Sequence, residues 1–223
     1  MQYLNFSHIH RFLATCAVLL ALAACSKDTG DYHFENKLNV YAGTTYEYLQ
    51  HNKGIYDSLL LVAERVPWLK DSLQKGKLTA FAPTNSSFDL VIRNMNALRK
   101  TAGKSPLYLA TVDPLQLDTL SARYFASSLY MTDSLLFTDG VYFNSIRYNR
   151  ALHAQIQDAN ASGYVAGGPK NIYFSDTRGS KFQRDWQRTT TQAVNIKTSN
   201  GIIHILVPTH EFGFGEFVLR MNK

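Results

Sequence analysis

The densest run of side chains able to grip a ligand lies between Lys170 and Arg188. Lys170, Arg178, Lys181, Arg184 and Arg188 interleave there with Tyr173, Phe174, Phe182 and Trp186, against only Asp176 and Asp185. Aromatic faces and cations together hold sugars or anionic polymers. Tyr173, Lys181, Phe182, Arg184 and Trp186 are therefore the candidate ligand-binding residues. The same stretch also reads as a solvated insertion pinned to the core by its aromatics. Tyr142, Phe143 and Tyr148 likewise read as sheet packing before they read as a sugar platform. His204 and His210 are near neighbours, but Pro208 intervenes and no carboxylate partner is assigned, so His204 is expected to be a core histidine with one satisfied nitrogen. Asp113, Asp118, Asp133 and Asp139 serve as caps and turns; a glycosidase would need two of them at a fixed separation. His-Glu-x-x-His, a Walker loop, Gly-x-Ser-x-Gly and a dinucleotide fingerprint are absent, and Gly167-Gly168-Pro169-Lys170 lacks phosphate-loop spacing. The expectation is a non-enzyme with no catalytic residue, no metal and no cofactor.

Cysteine chemistry points elsewhere. His8, His10 and Arg11 precede an apolar run from Phe12 to Ala24, broken only by Thr15, which is the layout of a signal peptide and too short for a spanning helix. Leu22-Ala23-Ala24-Cys25 at its end resembles the lipobox of bacterial lipoproteins, which implies a diacylglycerol on the Cys25 thiol and an acylated first residue. Two or three acyl chains anchor a protein stably where one does not. With Cys16 lost in the leader and Cys25 lipidated, none of the 2 cysteines is left for a disulfide, a nucleophile or a metal. Ser26 resembles the residue that sends lipoproteins to the outer membrane. Lys27 and Asp28 resemble the charged tether of surface-exported lipoproteins of Bacteroidetes-like bacteria. Removing Arg11 from the 23 basic residues leaves 22 against 17 acidic ones, a formal +5 that is too modest to argue for nucleic acid.

The 223 residues are 45% hydrophobic and 18% charged with 13 Gly and 6 Pro, which suits one globular domain and rules out collagenous or disordered classes. Residues 25–39 read as a tether. Ile55, Leu59, Leu60, Ala63 and Val66 recur at helical spacing, and Pro67-Trp68-Leu69 starts a second helix that Gly76 stops. Leu78–Ala82 reads as a short buried strand ended by Pro83. Thr84, Asn85 or Ser86 then caps a helix carrying Phe88, Val91, Ile92 and Met95, with a basic loop over Asn96–Ser105. Asp113-Pro114 opens a further helix with Leu117, Leu120, Tyr124 and Leu129 on its face. Strands are expected at Leu135–Thr138, Val141–Arg147, Leu152–Ile156, Ile172–Phe174, Gln192–Lys197 and Ile202–Val207. Asp139-Gly140 is expected to turn a hairpin, Asn160–Lys170 to form a Gly-rich loop, and Asn200-Gly201 to turn tightly with positive φ. Helices early and strands late favour α+β, and no internal repeat is visible.

Two boxes carry a family resemblance. Leu78-Thr79-Ala80-Phe81-Ala82-Pro83-Thr84-Asn85-Ser86-Ser87-Phe88 resembles the first box of fasciclin domains, and the later stretch Ala193–Leu206, with Asn200, Gly201 and His204, resembles the second. In the first, Asn85 or its neighbours are expected to satisfy the free donors of the helix that follows, and Phe88 to pack back. The family's Tyr-His pair falls at Tyr124-Phe125 here, without the histidine, so the receptor binding that this pair mediates in some animal members is not carried over. Leu206 stands where the family often has Asp, and the Asn149–Thr190 segment is longer than usual.

The resemblance implies a single α+β domain over residues 40–217, a fasciclin-like β-sandwich or wedge with several packed helices, followed by a tail at 218–223. It implies a non-enzymatic adhesion or binding lipoprotein. The lipid would hold it to the outer membrane, on the cell surface or facing the periplasm, where it meets an extracellular protein or polysaccharide and no nucleic acid. The other reading is an accessory glycan-binding or receptor-docking component of an outer-membrane polysaccharide uptake system.

Overall fold

Three short helices lead into the sheet of the computed structural model, which describes residues 39–158 and 168–223. The leader, Cys25, nearly all of the tether and most of the Gly-rich loop lie outside the described residues. Val40 enters by bridging to Lys197. Helix α1 (Thr45–His51) opens on a capping box: Glu47 N–H donates to Thr44 Oγ1 and Thr44 N–H donates to Glu47 Oε2. Helices α2 (Asp57–Arg65) and α3 (Pro67–Lys75) meet at Val66, with Pro67 in the first turn of α3 and Gly76 just past its end.

Strand β1 (Leu78–Ala82) is buried at all five positions, and a strand covered on both faces needs an unbroken apolar run. After Pro83, helix α4 (Asn85–Thr101) runs through most of the segment expected as a basic loop. Arg99 and Lys100 fall in its last turn, where cations meet unpaired carbonyls. Asp113 caps helix α5 (Pro114–Ser121) by accepting the Leu115 N–H. That helix stops well short of Leu129. A 3-10 turn (Ala122–Tyr124) tightens the chain into the two-residue strand β2 (Phe125–Ala126).

Strands β3 (Val141–Asn144), β4 (Ala151–Asp158), β5 (Lys170–Asp176), β6 (Gln187–Lys197) and β7 (Gly201–Leu206) complete a seven-stranded sheet in the order β2-β1-β7-β6-β5-β4-β3. Strand β1 lies parallel to β7, with Phe81 opposite His204, and the other neighbours are antiparallel. The sheet's ends meet. Ala126 bridges Ser145, and Ile146 N–H donates to Phe125 O at 2.8 Å, so the sheet curls nearly shut into an α+β wedge.

Leu135–Thr138 is not a strand, so Asp139-Gly140 turns without making a hairpin. Residues Thr132–Leu135 form a 3-10 turn because Asn195 Oδ1 accepts the Thr132 N–H at 2.9 Å and draws the segment inward. Phe81 lies at the centre of the core, its ring stacked on Phe174 at 3.8 Å and on His204 at 5.1 Å. The tail expected at 218–223 instead belongs mostly to helix α6 (Glu216–Met221). This helix packs against α4, buries Phe217 and is tied there by Arg99 Nη1 donating to Met221 O at 2.9 Å. Among the described residues no helix is long and apolar enough to cross a membrane.

Candidate functional site

The two sequence boxes form the frame on which the rest is hung. Asn85 acts on a different helix from the one expected. Its Oδ1 accepts the Ser58 N–H at 2.9 Å, and its Nδ2 donates to Gly54 O and Asp57 Oδ2, so it caps α2 rather than its own helix. Thr84 holds the cap position of α4, but its hydroxyl bonds nothing there. Pro83 is buried between strand and helix, and Phe88 packs back on Phe212, 4.4 Å between ring centres.

Asn200 and Gly201 turn the β6–β7 hairpin without positive φ, contrary to the sequence expectation. Asn200 Oδ1 accepts the Thr45 N–H at 2.8 Å, and its Nδ2 donates to Leu73 O and Gly76 O, so one side chain ties three elements. Gly201 is required by closeness: a Cβ there would lie 2.5 Å from Thr45 Oγ1 and 2.9 Å from Leu78 O. His204 is fully buried with both nitrogens engaged. Nε2 donates to Tyr130 O at 2.8 Å, Nδ1 accepts the Asn195 N–H, and burial pulls its pKa down to about 4.

Tyr124 lacks the adjacent histidine but finds one in space. Its oxygen accepts the Gly213 N–H at 2.7 Å, which leaves its own proton for His210 Nε2 at 2.8 Å. Burial lowers the His210 pKa to about 3 and raises that of Tyr124, so both partners are neutral. This pair fixes the strap that follows β7. Gly213, Phe214 and Gly215 all take positive φ in succession, and Phe214 is held there by its ring packing against Tyr124, His210 and Phe174. A Cβ on Gly213 would meet Phe217 Cβ at 3.1 Å and Leu120 Cδ2 at 3.2 Å, a tight fit on a backbone whose positive φ already favours glycine.

An ionic lattice around buried Arg123 and Asp176 clamps the same strap. Arg123 is fully buried and donates to Asp176 Oδ2 at 3.0 Å and to Gly213 O at 3.2 Å, while also meeting Glu216. Arg150 grips both oxygens of Asp176, at 2.9 and 2.8 Å, and Arg178 donates to Phe214 O. Burial opposes ionisation of Glu216, but the hydrogen bonds and charges of Arg123, Arg220 and Arg150 hold its pKa below the usual carboxylate range.

Between this strap and strands β5 and β6 runs a groove of about 470 Å³. Tyr173, Arg188, Thr190, Thr209, His210 and Glu211 are among its lining residues. Arg188 is exposed, and its guanidinium lies 5.5 Å from the Tyr173 ring and 5.9 Å from the Trp186 ring. Its Nε donates to Ser175 Oγ at 3.3 Å and one terminal nitrogen donates to Gln183 Oε1 at 3.2 Å. Burial raises the pKa of Glu211 on the facing strap. Register places Tyr142, His153, Ser175 and Arg188 in one row across four strands.

Of the candidate ligand residues, the structure brings Tyr173 and Trp186 together around Arg188. Trp186 is only 6% exposed: its Nε1–H donates to Ser180 O at 2.9 Å, and its ring covers His153 beside Tyr142. It is a pin for the loop rather than an open face. Lys181, Phe182 and Arg184 stand away from the groove at the loop tip, with Phe182 64% exposed and Arg184 lying over it. Phe143 is in the core, whereas Tyr142 is open. Sequence reasoning named Arg188 only as one of five cations and missed Glu211. The strand expected at Gln192–Lys197 in fact starts at Gln187, and its register with β5, Ser175 opposite Arg188 and Tyr173 opposite Thr190, sends Tyr173 and Arg188 to the same face. Among the described residues no group of three or more His, Cys, Asp or Glu is arranged to hold a metal ion.

No family model matches the sequence, and no curated protein matches it. Among solved structures the chain is similar to a FAS1 domain pair from the insect cell adhesion molecule fasciclin I, at 14% identity and a TM-score of 0.51. The match covers 74% of this chain and 49% of that one, so the chain spans about half the length of the pair. The likeness concerns the fold alone: a FAS1-like α+β wedge.

Proposed function

We propose that this chain is a non-enzymatic adhesion or binding module, displayed outside the cytoplasm and held to the outer membrane by lipid on Cys25. The observation that carries the binding role is the groove between β5, β6 and the strap. Its walls are fixed by the ionic lattice around buried Arg123 and Asp176, while its own cation, Arg188, is left open to solvent. A preformed concave site with a few convergent polar groups on a rigid scaffold is what ligand recognition needs. The lipobox at Cys25 supports the anchor, and the adhesion role of a protein sharing the fold supports the class, by analogy.

Two measurements test this. Replacing Cys25 with Ser should move the chain from the membrane pellet to the soluble fraction; continued pelleting after a carbonate wash refutes the anchor. The purified chain should be retained on extracellular protein or glycan surfaces in an Arg188-dependent way, and uniform failure to bind either would refute the module. The accessory role in polysaccharide uptake gains support from exposed Tyr142 in the same cross-strand row as Arg188, since an open ring beside a polar face suits a sugar.

A further inference from the structure

We propose that the groove takes an acidic saccharide, with a uronate carboxylate held by Arg188 and the sugar ring laid against Tyr173. This rests on the binding-module reading and narrows it to a ligand class.

Arg123 and Arg150 share Asp176 and Glu216, Arg220 also pairs with Glu216, Arg147 pairs with Asp118, and Arg184 lies 3.7 Å from Asp185, while Arg65, Arg99 and Arg178 donate to backbone carbonyls. Arg188 has only the neutral acceptors Ser175 Oγ and Gln183 Oε1 among the described residues, and its Nη1 has none. Those two bonds and the flanking rings of Tyr173 and Trp186 hold the guanidinium plane in one orientation. An oriented guanidinium with open N–H groups and no counter-ion suits a planar carboxylate, which accepts two parallel bonds.

The remaining lining distinguishes a sugar acid from other anions. Thr190 and Thr209 bring hydroxyls and Glu211 brings a carboxyl to a groove of about 470 Å³, a volume within the range of small-ligand sites. Such groups pair with sugar hydroxyls, and the half-buried Tyr173 ring beside the Arg188 guanidinium adds apolar surface against which a sugar ring can rest. Glu211 on the facing strap disfavours a densely charged polymer, so one carboxylate per sugar fits better than clustered sulfates. Tyr142, in the same row as Arg188, extends the face beyond the groove for a further sugar residue.

The test is calorimetric titration of the purified full-length chain in detergent. Its probes are a short oligogalacturonate, its methyl ester, a neutral galacto-oligosaccharide and a sulfated oligosaccharide of similar length. The free acid should bind about tenfold or more tightly than its ester or the neutral sugar, and Arg188→Gln should lose that preference while Arg188→Lys keeps part of it. Arg184→Gln, at the loop tip, should bind as the unaltered chain does. Equal binding of acid and ester, preference for the sulfated probe, or no binding of any uronate at millimolar concentration overturns the proposal. Should Arg188→Gln fail to fold, the acid-against-ester comparison on the unaltered chain decides alone. Arg188-dependent retention on an extracellular protein, with no uronate binding, would end this proposal and leave the binding-module reading standing.

Discussion

Acidification should unfold this chain through two histidines that bear no charge in the native state. Burial holds His204 at about 4 and His210 at about 3, against 6.5 for the free side chain. Both folded-state values are depressed, so below 6.5 the unfolded chain binds protons that the native chain refuses. Their contribution to stability is therefore complete above pH 6.5 and is lost as the pH falls toward 4 for His204 and toward 3 for His210. A pH of about 4.5 lies roughly two units below the unfolded pKa, which at about 1.4 kcal/mol per unit costs about 3 kcal/mol for each histidine. Together that is about 6 kcal/mol, as much as the lower part of the roughly 5–15 kcal/mol that holds a whole domain. Glu211 runs the other way, since its raised pKa adds stability as the pH falls, and it offsets part of the loss. The assay is urea unfolding followed by tryptophan fluorescence at about pH 7 and about pH 4.5. His210→Gln gives Tyr124 an acceptor that does not titrate. Whatever its stability at neutral pH, its loss between the two conditions should be about 3 kcal/mol smaller than that of the unaltered chain. An unchanged loss would refute the reasoning.

Three further outcomes follow from packing and pairing. Arg123→Met should destabilise by about 3–5 kcal/mol in denaturant titration, because buried Asp176 loses one of its two arginines; a cost near zero would mean that Arg150 suffices. Asn85→Ala should cost about 1–2 kcal/mol and fray α2 before α4 in hydrogen exchange, since the Ser58 N–H is the donor left without an acceptor. Trp186→Ala should cost about 3–5 kcal/mol and Phe182→Ala within about 0.5 kcal/mol, a contrast that thermal melts resolve and that equal shifts would contradict.

The sequence was most informative where local pattern and tertiary setting agree. Leu78–Ala82 is apolar throughout and ends at a proline, so its strand is legible, and Asp113-Pro114 opens a helix as its residue types require. It misled where one side chain works at long range. Asn85 looks like a cap for its own helix but serves α2, which packs beside it only once the chain has folded. Asn200-Gly201 is correctly placed as a turn, yet its glycine answers to the approach of Thr45 and Leu78 rather than to backbone twist. Leu135 sits in an apolar stretch that reads as strand, and only Asn195, far along the chain, diverts its neighbour Thr132 into a tighter turn. The groove was not visible: the expected strand began at Gln192 and left Arg188 outside it, and only the register of β5 with β6 puts Tyr173 and Arg188 on one face. That Arg188 is left without an acid could not be read locally, because Asp176 and Glu216 choose their partners in three dimensions.

Closure of the sheet matters most when many copies stand side by side. A strand with a bare row of N–H and C=O groups invites a neighbouring chain to zip onto it. Here the terminal strands are only two and four residues long, and they are stitched together through Ala126, Ser145 and Ile146. Neighbouring molecules therefore find little backbone on which to nucleate a cross-strand aggregate, and contact between copies is left to side chains.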